Sequence, residues 1–203
     1  MKIQPNTKLV MIGDSITDCG RLSTPDGLGD GYVRLVAAVL HDKNIQVINR
    51  GISGNTVRDL KQRWQRDVLD LNPDWLSIMI GINDVWRQFD NWGTPEDWVL
   101  LDEYEETLDA LIAQVLPSLQ GLILMTPYFL ELDKTDEMRA KMDVYGEVVR
   151  KIAKKYDVIF VDIQAAFDTF LQTRDATEIS NDRVHMNAVG HQVLADAFLK
   201  AIS

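Results

Sequence analysis

Three apolar runs in this chain each lead into a short polar motif built around glycine. Leu9-Val10-Met11-Ile12 ends in Gly13-Asp14-Ser15. Ile45-Gln46-Val47-Ile48-Asn49 precedes Gly51-Ile52-Ser53-Gly54, and Trp75-Leu76-Ser77-Ile78-Met79-Ile80 precedes Gly81-Ile82-Asn83-Asp84. Short apolar runs of this kind read as strands buried on both faces, the mark of a parallel sheet covered by helices. In an open parallel sheet, ligands bind beyond the carboxyl ends of the strands. The three motifs therefore converge on one pocket although they lie far apart in the chain.

The intervening segments carry helical spacing. Tyr32, Leu35, Val36 and Val39 follow the Gly-rich stretch Pro25 to Gly31, and Val57, Leu60, Trp64, Val68 and Leu71 follow the second strand. Tyr104, Leu108, Leu111, Ile112 and Val115 mark a helix stopped at Pro117. Met138, Met142, Tyr145, Val149 and Ile152 mark another, and a last helix runs roughly from Ala188 to the end. Two further strands read as Leu122-Ile123-Leu124-Met125 and Val158-Ile159-Phe160-Val161. The alternation predicts an α/β fold, a three-layer α/β/α sandwich around a five-stranded parallel sheet. With no repeat, linker or low-complexity tract, residues 1–203 are expected to form a single domain.

The formal charge of −10, from 31 acidic against 21 basic residues, argues against nucleic acid and anionic lipid as partners. No apolar stretch approaches the ~20 residues of a membrane span. The one cysteine, Cys19, cannot form an internal disulfide, and no targeting segment is visible, so a cytoplasmic location is the expectation.

A serine hydroxyl becomes a nucleophile only when a base takes its proton, and that base needs an orienting partner. Of the three histidines, His41 ends a helix and reads as a surface residue, while His191 lies one turn into the last helix, where packing or capping is expected. His185 stands in Asn181-Asp182-Arg183-Val184-His185, where Asp182 can reach its Nδ1–H. Taken singly, each feature has a plain structural reading. Asp182 and His185 can face water, Ser15 can be an N-cap, Asn83-Asp84 can cap a helix, and Gly51 and Gly54 can be turn glycines. Their joint occurrence at successive strand ends favours chemistry. Cys19 as an alternative nucleophile has no histidine nearby in sequence and reads as a packing thiol. A metal site from Asp182, His185 and His191 is rejected on the spacing of the two histidines.

The whole set resembles the SGNH hydrolases, also called the GDSL esterase/lipase family, from Gly13-Asp14-Ser15 through Gly51 and Gly81-Ile82-Asn83-Asp84 to Asp182-Arg183-Val184-His185. That resemblance implies the family's flavodoxin-like sandwich, with Ser15 as nucleophile and Asp182 and His185 completing a triad. It also implies an oxyanion hole of Ser15 N–H, Gly51 N–H and Asn83, without cofactor or metal. The stretches Ile12 to Arg21, Gly51 to Leu60 and Ile80 to Gln88 are most similar to bacterial intracellular acetylxylan esterases of the family. The implied reaction removes acetyl groups from short acetylated xylo-oligosaccharides through an acyl-enzyme. Asp14, Trp86 and Arg87 are the candidate substrate contacts.

Two features depart from the relatives: Met186 stands where they carry proline, and the loop 172–181 is short and polar. Trp86, Trp92 and Trp98 could stack on sugar, anchor their loop or bury a subunit contact, which leaves a homo-oligomer open. The alternative substrates are those of a short-chain carboxylesterase, thioesterase or lysophospholipase. The alternative class is a non-catalytic carbohydrate-binding module, disfavoured because all four motif blocks are intact.

Overall fold

The computed structural model describes residues 1–90 and 93–203. Five parallel strands, β1 (Lys8–Gly13), β2 (Gln46–Gly51), β3 (Trp75–Met79), β4 (Gly121–Met125) and β5 (Ile159–Val161), form one sheet in the order β2-β1-β3-β4-β5. Leu9 to Ile12 of β1 are fully buried. The edge strand β2 is half-exposed and carries Gln46, Asn49 and Arg50, which is why its sequence pattern is less purely apolar.

Among the described residues eight α-helices accompany the strands: α1 (Ser15–Asp18), α2 (Tyr32–Leu40), α3 (Val57–Asp67), α4 (Ile82–Trp86), α5 (Leu101–Val115), α6 (Glu137–Tyr156), α7 (Ile163–Leu171) and α8 (Ala188–Ile202). Right-handed crossovers explain the layers. The step from β1 to β2 moves one way along the sheet and sets α2 on one face. Every later step moves the other way and sets α3, α5 and α6 on the opposite face. Helices α7 and α8 then pack together, and α8 packs on α2 to complete the first layer. Among the described residues no helix is long and apolar enough to cross a membrane.

Helix α7 is absent from the sequence expectation. It follows β5 after Asp162 alone, whose carboxylate accepts the Ala165 N–H, and it buries Ile163, Phe167 and Leu171 at helical spacing. The helix expected to continue to Leu71 stops at Asp67. A 3₁₀ turn, Leu69–Leu71, and the left-handed Asn72 (φ 46°) then redirect the chain ahead of Pro73.

The sheet reverses its direction of growth between β1 and β3, so their following loops part and leave a crevice there. The register places Gly13 beside both Gly51 and Met79. The three motif loops therefore leave the sheet at one level.

Candidate active site

Ser15 is the first residue of α1, a single turn capped by Asp14, whose carboxylate accepts the Ile16 N–H at 3.0 Å. The Ser15 N–H thus lies among the open donors of a helix N-terminus. Its Oγ lies 3.0 Å from His185 Nε2. His185 sits in a loop between α7 and α8. That loop is tied by the Ser180–Met186 bridge and anchored to the chain beyond β4 by Leu130 N–H to Arg183 O (3.0 Å) and Tyr128 O–H to Val184 O (2.7 Å).

Asp182 organises the loop. Its Oδ1 accepts from Ser180 Oγ, Val184 N–H and His185 N–H at 3.0, 2.9 and 2.7 Å, and its Oδ2 lies 2.7 Å from His185 Nδ1. Partial burial pushes the Asp182 carboxyl up, but the His185 ring and the backbone donors outweigh burial and hold it at about 2. An ionised carboxylate only accepts, so Nδ1 carries the ring proton and Nε2 faces Ser15 as an acceptor.

Asn83, in the first turn of α4, is buried and donates from Nδ2 to Asn55 O at 3.0 Å, which leaves its second N–H for the cavity. Gly51 does not reach the cavity. It is the last residue of β2, and its N–H is engaged by Asn49 Oδ1 at 2.8 Å. A Cβ on Gly51 would lie 2.0 Å from Asp18 N, so the glycine permits close packing of α1 on β2. Gly54 does line the cavity, in a left-handed conformation (φ 81°). Its N–H makes no hydrogen bond among the described residues.

The cavity at these residues has a volume of about 540 Å³ and is walled by Ser15, Ile16, Cys19, Ser53, Gly54, Asn83, Trp86, Arg87, Asp90, His185, Met186 and His191. Trp86 and Arg87 are among these wall residues. The Trp86 ring is 5.8 Å from that of His185, and Arg87 pairs with Asp90 at 2.8 Å. Asp14 does not line the cavity. Its side chain is turned inward to cap α1, and burial raises its carboxyl to about 7 against the pull of the Ile16 N–H and of His185. Trp98 lies off the cavity wall, and Trp92 falls outside the described residues.

His191 is buried, as its place in α8 suggests. Its Nδ1 accepts the Tyr32 N–H at 3.2 Å and its Nε2 lies 3.4 Å from Cys19 Sγ. Burial lowers the His191 imidazole to about 4. Cys19 and His191 both face the cavity, a contact that sequence distance hid. Met186 packs on Gly190, where an added Cβ would lie 2.5 Å from the Met186 Cβ, so this side chain wedges the loop against α8. Ser53 stands inside the second motif without being singled out as a site residue, and Asp90 was unmarked in the sequence. For Asp90 the one available signal is its i, i+3 spacing from Arg87.

Residues 11–193 match the model of the GDSL-like lipase/acylhydrolase family. The chain is 51% identical to an acetylxylan esterase of Geobacillus stearothermophilus over 212 aligned positions, covering 100% of this chain and 96% of that one. A crystal structure of that esterase superposes with a TM-score of 0.96 at 50% identity, covering 100% of this chain and 97% of the other. An alpha/beta hydrolase enzyme from the metagenome of Lake Arreo, Spain, superposes with a TM-score of 0.97 at 47% identity and the same coverages. Catalytic mutants of the Geobacillus esterase replace a serine, an aspartate and a histidine, one at a time, by alanine.

Proposed function

The chain belongs to the GDSL-like lipase/acylhydrolase family, and we propose that it is a serine esterase that removes acetyl groups from acetylated xylo-oligosaccharides. The observation that carries this reading is the unbroken hydrogen-bonded line from Asp182 through His185 to Ser15 at the cavity wall. His185 Nε2 takes the hydroxyl proton as Ser15 Oγ attacks the acetyl carbonyl. The developing oxyanion is held by the Ser15 N–H, the Gly54 N–H and the Asn83 amide, and His185 returns the proton to the departing sugar hydroxyl. Water then repeats the sequence on the acetyl-enzyme and releases acetate.

The sugar is assigned to the side of the cavity built by Trp86, Arg87 and Asp90, where a ring face and two charged groups suit stacking and hydroxyl recognition. A cytoplasmic setting accompanies this reading, since the acetylated sugar would arrive there as a short oligosaccharide. The test is release of acetate from acetylated xylo-oligosaccharides, followed by mass spectrometry. Wild-type protein should deacetylate them and should label with a fluorophosphonate at Ser15. Ser15→Ala should do neither, and hydrolysis by pure Ser15→Ala within tenfold of wild type would remove Ser15 from the role of nucleophile.

A further inference from the structure

Gly54 lies in residues 52–56, which belong to no helix or strand, and its N–H can serve an oxyanion only if this loop is held still. The loop is gripped from α1. Asp18 Oδ2 accepts both the Ser53 N–H at 3.1 Å and the Ser53 Oγ–H at 2.8 Å. Asp18 Oδ1 accepts the Arg21 N–H at 3.2 Å, and Arg21 Nε donates to Gly51 O at 2.5 Å. The pair therefore holds the loop both where it leaves β2 and immediately before Gly54. On the far side, Asn83 holds Asn55 O. The Gly54 peptide is suspended between these two anchors.

We propose that Asp18 is a positioning residue for ester hydrolysis, locking the Gly54 N–H in register with Ser15. This rests on the reading of Ser15 as the nucleophile. The argument is geometric. Ser15 and Asp18 open and close the same helical turn, and Asp18 N–H donates to Asp14 O at 2.9 Å, so the distance from nucleophile to clamp is fixed by the helix itself. Asp18 is not among the residues lining the cavity and touches no reacting atom. Its effect passes through Ser53. A carboxylate suits the task because two oxygens must serve three donors, Ser53 N–H, Ser53 Oγ–H and Arg21 N–H, which a single amide oxygen cannot reach together.

The experiment compares 4-nitrophenyl acetate kinetics and thermal midpoints for wild type, Asp18→Ala, Asp18→Asn and Ser53→Ala. One oxyanion donor is worth about 10²–10³ in kcat, which bounds the loss from misplacing Gly54. Asp18→Ala should lower kcat by about tenfold to a hundredfold with KM within about threefold. Asp18→Asn, keeping one acceptor oxygen, should recover part of that loss. Ser53→Ala, which loses the hydroxyl bond to Asp18 and retains the backbone one, should lower kcat by less than Asp18→Ala does. If Asp18→Ala does not fold, the ordering of wild type, Ser53→Ala and Asp18→Asn in kcat decides the matter. An unchanged kcat, a loss carried by KM, or a kcat that only follows the thermal midpoint would overturn the proposal. Fluorophosphonate labelling separates the two failures. Wild type that fails to label takes the nucleophile reading down together with this inference, whereas normal labelling with an unaltered Asp18→Ala kcat removes this inference alone.

Discussion

Asp182 accepts from His185 Nδ1 and so leaves Nε2 free to receive the serine proton, a division of labour that depends on the carboxylate staying ionised. Held at about 2, it remains ionised well below neutral pH. Protonation of Asp182 should therefore contribute no limb to the kcat/KM profile near pH 4, and a loss of activity there that Asp182→Asn abolishes would contradict an ionised carboxylate. Replacing Asp182 by asparagine puts an amide where only an acceptor serves and permits the wrong ring tautomer. A fall in kcat of about 10³–10⁴ is expected, with little change in the folded structure by circular dichroism. Asn83→Ala removes one oxyanion donor and should lower kcat by roughly 10²–10³ while KM stays nearly constant. A change confined to KM would make Asn83 a ground-state contact instead.

The elements that carry these residues were largely legible, because central strands buried on both faces leave uninterrupted apolar runs and covering helices leave a 3.6-residue rhythm. What sequence did not reveal was where a strand ends. The second apolar run ends at Asn49 in the sequence, and the family resemblance offered Gly51, just beyond it, as a donor. The ladder instead continues through Arg50 and Gly51, and Asn49 Oδ1 occupies the Gly51 N–H. The N–H left open at the cavity wall lies three residues later, at Gly54. Asp14 was misread for a related reason, since spacing alone does not tell whether a carboxylate beside a nucleophile faces the cavity or caps its own helix. The junction of α3 and α4 supplies a prediction at this scale. Asp84, fully buried at the start of α4, accepts the Val57 N–H at 3.0 Å through Oδ1, while Oδ2 has no partner among the described residues. Burial, reinforced by the nearby Asp14 and Asp59 charges, outweighs the hydrogen bonds and raises its carboxyl to about 8. The folded chain thus keeps a proton that the unfolded chain releases near pH ~4. Stability from this group is lost progressively as pH rises from about 4 to about 8, and levels off above. Asp84→Asn keeps an acceptor for Val57 without the buried charge. Its thermal midpoint should exceed that of wild type at pH 9 and lose part of the downward slope between pH 5 and 8. A midpoint below wild type at pH 9 would mean that the ionised carboxylate has a buried partner.

At the scale of the whole molecule, the sheet order fixes where an ester can react. The crevice between the β1 and β3 loops sets Ser15 and Asn83 on opposite sides of one mouth, and the Asp182–His185 loop closes it from the α8 side. The wall combines polar groups with the larger apolar side chains of Ile16, Trp86 and Met186. An open alkyl groove would reward each added methylene of the acyl group by about 0.8 kcal/mol, roughly a fourfold gain in binding per carbon. The acetylated-sugar reading instead requires that the wall stop just beyond the acetyl methyl. Each methylene beyond acetyl would then displace a wall group or move the carbonyl away from its donors, which costs kcat as well as affinity. The rate of 4-nitrophenyl ester hydrolysis should accordingly fall from acetyl to butyryl and be very low for octanoyl, while acetylated xylo-oligosaccharides are deacetylated. Rates that climb steadily with chain length would reveal an apolar channel and transfer the enzyme to lipid-like esters. The roles of Ser15, His185 and Asp182 would be untouched, because the acyl chain reads only the walls of the cavity.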